Sequence, residues 1–167
     1  INLYKSEIPA RYGGSLSSVL DIQMKEGNNK EWKGDFTVGL IASKLTIEGP
    51  IKKEKSSIIF SARRTYIDLL MKPILMLNNN NNTGNKVKGG YYFQDFNLKI
   101  NYKLSEKSRI YLSLYNGKDQ AYTNENRKNH EIETKNNFNL TWGNLTGILR
   151  WNYVISNKLF SNTNISY

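Results

Sequence analysis

Phe96-Asn97-Leu98-Lys99-Ile100-Asn101-Tyr102-Lys103-Leu104 is the stretch from which the fold is read. Phe96, Leu98, Ile100, Tyr102 and Leu104 point one way, and Asn97, Lys99, Asn101 and Lys103 the other. Only the two-residue period of a β-strand separates side chains so cleanly. A soluble sheet with one wet face would show the same alternation. The spacing between strands separates the two cases.

After Leu104 only Ser105-Glu106-Lys107-Ser108 intervenes before Ile110, Leu112 and Leu114 alternate with Tyr111, Ser113 and Tyr115. Before it, Ile58, Phe60 and Ala62 carry a strand to about Tyr66, preceded by the charged turn Lys52-Lys53-Glu54-Lys55. Further on, Leu145, Leu149, Trp151, Tyr153 and Ile155 lead through Ser156-Asn157-Lys158 into a last strand. Phe36, Val38 and Leu40 slip by one residue against Leu45 and Ile47, so a tight turn or bulge is expected near Ala42-Ser43. Gly49-Pro50 is expected to close that strand. Residues 67–90 and 118–136 read as long polar links. Ile67, Leu70, Met71, Ile74 and Leu75 have helical spacing interrupted by Pro73, so a short helix and an extension of the strand both remain open. The run Asn78–Asn82 cannot bury a core and is expected to be mobile.

Short links at one end and long ones at the other are the habit of outer-membrane barrels. Strands of about 9–11 residues suffice to span a bilayer when tilted, and 96–104 and 145–155 fit. Tyr91, Tyr92, Phe93, Trp142, Trp151 and Tyr153 sit towards strand ends, where interfacial aromatics are expected. The lumen-facing set would be Asn97, Lys99, Asn101, Lys103, Tyr111, Tyr115, Thr146, Arg150 and Asn152. Arg63-Arg64 would either grip an anionic ligand or plug carboxylate, or mark the water interface with snorkelling stems.

The 167 residues carry a formal charge of +10 but no nucleic-acid-binding signature, and nucleic acid is not expected as a partner. The chain has no cysteine, which excludes disulfides, thiolate metal sites and cysteine nucleophiles. The single histidine, His130, stands in a polar stretch without a nucleophile or orienting group. No catalytic, cofactor-binding or metal-ligating set is legible, and no enzyme is expected. No apolar run reaches the length of a membrane-spanning helix, so any membrane passage would use a closed barrel. The chain begins at Ile1 and a strand still runs at Tyr167, so a piece of a longer polypeptide is expected.

Pro9-Ala10-Arg11-Tyr12-Gly13-Gly14, followed by Ser17-Ser18-Val19-Leu20-Asp21-Ile22 and Lys25-Glu26-Gly27, resembles the end of the plug domain of TonB-dependent receptors. Leu45-Thr46-Ile47-Glu48-Gly49-Pro50-Ile51, Ser61-Ala62-Arg63-Arg64-Thr65-Tyr66, Trp142-Gly143-Asn144, Arg150-Trp151-Asn152-Tyr153 and Lys158-Leu159-Phe160-Ser161-Asn162 are similar to the Bacteroidetes-type branch, whose members often carry a carboxypeptidase-regulatory-like domain. The resemblance implies an all-β fold: the N-terminal part of an antiparallel transmembrane barrel of about 22 strands, plus the C-terminal end of its plug. Residues 1–27 would end the plug and residues 28–167 would form roughly the first seven strands. The implied function is TonB-dependent import of a scarce nutrient across the outer membrane of a Gram-negative bacterium. The ligand would be a glycan, siderophore, peptide or vitamin. Outer-membrane lipid, TonB (through a segment upstream) and a surface lipoprotein would be the partners. Arg11, Tyr12, Gly13, Gly14 and Asp21 would be plug positions, with Arg11 and Asp21 able to pair with lumen charges. Arg63, Lys99, Tyr111, Tyr115 and Arg150 would face the lumen or ligand. A soluble all-β binding or adhesion module, or a small structural barrel, are the alternatives.

Overall fold

The computed structural model describes residues 2–5, 8–9, 12–13, 17–21, 23–81, 84–129 and 132–167. Strands make up 71% of the chain, with one helix, so the fold is all-β. Two short strands, β1 (Asn2–Tyr4) and β2 (Val19–Asp21), pair antiparallel, Asn2 opposite Asp21. The strand expected over 17–25 is therefore confined to its middle, and residues 23–28 cross to the main sheet without regular structure.

The main sheet is a seven-stranded antiparallel meander in chain order. Its strands are β3 (Lys33–Val38), β4 (Ala42–Lys52), β5 (Ser56–Thr65), β6 (Asn85–Ser105), β7 (Ser108–Asn129), β8 (Ile132–Ser156) and β9 (Leu159–Ser166). The short turns after β4, β6 and β8 share one end of the sheet. At the far end, the phase slip is resolved by a tight turn. Gly39 N–H donates to Ala42 O at 2.9 Å and Val38 pairs with Ser43, so no bulge is needed there. Pro50 does not close β4; it pairs with Ser57 inside the strand, beyond the reach of β3, and the ladder shifts register only between Pro50 and Lys52. There a proline's missing donor faces the fewest partners.

The described residues of both expected long links are in regular structure, Gly84 excepted. Helix α1 (Ile67–Asn81) runs through Pro73, so the proline does not end it. Asn78–Asn81 belong to this helix, and β6 starts at Asn85 rather than after residue 90. Residues 118–129 and 132–136 extend the β7–β8 ladder, which runs from Lys118 opposite Gly143 to Asn129 opposite Ile132. That stretch is polar on both faces, so it lacks the apolar-polar contrast by which a strand is seen in sequence.

β5 stops pairing with β6 at Arg64 opposite Gln94, and β6 runs on with one side of its ladder open. Side chains cover two points of it. Thr65 Oγ1 accepts the Phe93 N–H at 2.8 Å, and Asn79 from α1 both donates to Val87 O and accepts Val87 N–H, each at 2.8 Å. The asparagine mimics the missing strand's peptide and satisfies groups that would otherwise lack partners.

Candidate functional site

Register assigns every sheet residue to a face. One row runs Ile58, Ile100, Leu112, Leu149, Ile165, and the next Phe60, Leu98, Leu114, Gly147. On the opposite face stand the rows Glu48, Ile59, Lys99, Ser113, Ile148 and Ser57, Asn101, Tyr111, Arg150, Asn164. All nine residues expected to face a lumen, and Arg63 with them, fall on this polar face. Burial is the reverse of a soluble sheet's. Lys99, Asn101 and Tyr111 are only 7%, 8% and 8% exposed, whereas Leu114 and Leu149 on the apolar face remain 37% and 42% exposed. Among the described residues nothing packs on the centre of the apolar face, and the only buried apolar side chains are Pro50 near the β4–β5 turn and Tyr111 on the polar face.

The polar face is covered by the N-terminal segment. Lys99 Nζ donates to Met24 O at 2.7 Å, Lys25 Nζ lies 3.1 Å from Glu48 Oε1, and Glu26 Oε2 lies 3.9 Å from Arg109 Nη1. Gly27 then lies flat on β5: a Cβ there would come within 2.4 Å of the Ile58 carbonyl oxygen, so only glycine fits. Asn28 accepts the N–H groups of Lys30 and Glu31, and Glu54 N–H donates to Asn29 O at 3.0 Å, tying the chain to the β4–β5 turn before β3 begins. On the opposite, apolar face, a Cβ at Gly49, the partner of Ile58, would fall within 2.7 Å of three Trp32 ring carbons, so the indole rests there on bare backbone.

Between segment and sheet lies a cavity of about 650 Å³, lined by Tyr12, Asp21, Glu26, Lys99, Tyr111 and Arg150 among others. The Arg150 guanidinium sits 4.3 Å above the Tyr111 ring and Lys99 Nζ 5.9 Å from it, so one phenol is flanked by two cations. Arg150 Nε, Asn152 Oδ1 and Glu48 Oε2 are enclosed with no hydrogen-bond partner among the described residues. The lining sets two cations, Lys99 and Arg150, against two carboxylates, Asp21 and Glu26, among aromatic and amide side chains, which suits it to polar groups.

Comparison with protein-family models, with curated proteins and with solved structures found no match.

Of the expected positions, Tyr12, Asp21, Lys99, Tyr111 and Arg150 meet around this cavity. Gly13 is in the turn where Tyr12 N–H donates to Pro9 O at 2.9 Å. Arg11, Gly14 and His130 lie outside the described residues. Arg63 and Tyr115 share the polar face but do not line the cavity. Arg63 is held by Asp95 at 2.8 Å and stacks over Phe93 at 5.0 Å, while the Tyr115 ring covers Gly117. Arg64 is on the apolar side, paired with Asp68 at 3.1 Å and lying over Tyr92. The two arginines are thus taken by separate carboxylates within the sheet and α1. The expected aromatic set also divides: Tyr92, Trp151 and Tyr153 share the apolar side, whereas Tyr91, Phe93 and Trp142 belong to the polar side. Glu26, Asn162 and Asn164 were missed as lining residues. The alternation in β9 pointed to both asparagines; nothing local pointed to Glu26.

No group of three or more acidic, histidine or cysteine side chains able to hold a metal ion exists among the described residues. Nor is any described helix long and apolar enough to cross a membrane, which says nothing about passage by strands.

Proposed function

We propose that this chain forms the first strands of a transmembrane barrel, together with the adjoining end of its plug, in a TonB-dependent outer-membrane transporter importing a scarce nutrient. The observation that carries this reading is the reversed burial: polar side chains covered, apolar side chains bare. In water such a sheet would present its large apolar face to solvent, an arrangement soluble monomers avoid. In lipid the same face needs no protein cover, and the polar face turns to a filled interior.

Residues up to Gly27 act as the plug end, strapped to the wall by Met24, Lys25 and Glu26. Rearrangement of the plug during transport must leave or break these ties. Two are partly exposed ion pairs, worth at most about 1 kcal/mol each, so they hold the strap without locking it. The ligand is held between the plug and the far-end extensions, which here include the projecting β6–β8 ladder rather than loose loops alone. Outer-membrane lipid, TonB acting through an upstream segment, and a surface lipoprotein are the partners of this reading.

The test is made in the native bacterium. The full-length chain should fractionate with the outer membrane. Its deletion should abolish growth on one class among defined glycan, ferric-siderophore, peptide and vitamin sources, and removal of TonB should reproduce that loss. Recovery of the chain with soluble proteins, or uptake indifferent to TonB, would overturn the reading.

A further inference from the structure

α1 poses a packing problem that the sheet does not solve. At 3.6 residues per turn, Asp68, Leu75 and Asn79 share the side nearest β6: Asp68 is buried against Gly90, and Asn79 is fastened to Val87. The opposite arc is Leu69, Leu70, Pro73, Ile74, Met76 and Leu77, all exposed, with Ile74 at 67%. Between residues 69 and 77 the only charge is Lys72, at the flank of that arc. A helix apolar nearly all round belongs in an apolar surrounding on more than one side.

Three observations fix the side of the sheet on which that surrounding must lie. A Cβ on Gly90 would meet Asp68 Cα at 2.9 Å, and Gly90 shares its face with Gln94, Phe96 and Leu98. Arg64, on that same face, is the partner of Asp68. Tyr66, at the helix start, donates its N–H to Ile41 O at 2.9 Å, joining α1 to the β3–β4 turn, where Leu40 is almost fully exposed. The helix therefore prolongs the apolar face of the sheet beyond the end of β5. Lys86 and Lys88 are exposed on that side of β6, beside the helix. Pro73 withholds a donor from the Leu69 carbonyl, which is tolerable where water and headgroups are within reach but costly in the acyl core.

We infer that α1 is an interfacial anchor, lying in the outer headgroup layer with Leu70, Ile74 and Leu77 at the acyl boundary and Lys72, Lys86 and Lys88 at lipid phosphates. The inference rests on the membrane reading of the sheet. Apolar area facing the acyl boundary, with lysines at headgroup level, is the arrangement by which amphipathic helices bind anionic membrane surfaces. The anchor would hold the outer rim of β5 and β6 at fixed depth while the plug moves.

The test uses the full-length protein, reconstituted in vesicles of phospholipid and lipopolysaccharide, with single cysteines carrying nitroxides at Leu70, Ile74 and Leu77. Leu149 on the apolar sheet face and Asn126 on the projecting ladder serve as references. Collision with molecular oxygen should exceed collision with a water-soluble nickel chelate several-fold at all three helix positions and at Leu149, but not at Asn126. Nickel access at the helix equal to that at Asn126, with Leu149 still protected, would overturn the anchor alone. Shielding of the helix from both reagents would also overturn it, by showing a protein cover. Nickel access at Leu149 as well would overturn the membrane reading and the anchor together.

Discussion

Replacing Leu114 by Arg tests the orientation of the whole sheet. β5 has 10 residues between its short turn and the start of α1. At about 3.4 Å per residue and a tilt of about 40°, it rises roughly 26 Å, close to the apolar band of about 25 Å in outer-membrane barrels. Phe60 stands midway along β5, opposite Leu98, which in turn is opposite Leu114. Leu114 is therefore at the depth where a lipid-facing arginine costs about 2–4 kcal/mol. Thr146 is the control: it pairs with Tyr115, at nearly the same height but on the polar face, and its replacement by Arg should cost less than about 1 kcal/mol. Stability would be measured on the full-length protein folded into vesicles, by urea titration followed through tryptophan fluorescence and gel mobility. Were the apolar face wet instead, Leu114 at 37% exposure would tolerate arginine within about 0.5 kcal/mol. A Leu114→Arg cost no larger than that of Thr146→Arg would refute the assignment of faces.

Other expectations concern the strap, the ladder and the turns. Gly27→Val drives a side chain into the Ile58 carbonyl, so residues 24–29 should lift from the sheet and limited trypsin digestion should cut after Lys25 and Lys30; an unchanged digestion pattern would refute the close approach. Asn79→Ala strips Val87 of both side-chain partners and should speed exchange of its amide hydrogen by roughly 5- to 30-fold, the equivalent of about 1–2 kcal/mol. The Lys103 ammonium, hydrogen-bonded to Glu106 in the β6–β7 turn, holds that carboxyl below the usual carboxylate range. Because the folded value is the lower one, its stabilising contribution is present above the unfolded value of about 4.3 and fades as pH falls through the folded value. Carboxyl titration by NMR should show that depression, and Lys103→Gln should remove most of it, leaving the smaller effect of the Arg109 and Lys55 charges.

Alternation made β5 and the turn-proximal halves of β6 and β7 legible, and it placed Lys99, Tyr111 and Arg150 on one face. A two-residue period leaves no freedom about which side chains travel together. The three short turns were legible for the same reason, being breaks between alternating runs. The 118–136 hairpin was not, because both its faces are polar and its pairing rests on backbone bonds that no side-chain pattern reports. Pro73 misled in another way. A proline removes one bond from a helix, and here packing of Asp68, Leu75 and Asn79 along β6 sustains the helix regardless.

By itself, then, the amino-acid order determined that Leu114 and Leu149 stand together and that Lys99 and Arg150 stand opposite them. What covers each face was a tertiary decision. Only the folded chain carries Met24, Glu26 and Gly27 across the polar face and leaves the centre of the apolar one bare. It also divides Arg63 from Arg64 and sets Asn79 where a strand is missing. Contacts such as Lys99 to Met24 join residues far apart along the chain, and alternation within a strand has no means of encoding which distant segment comes to rest on it.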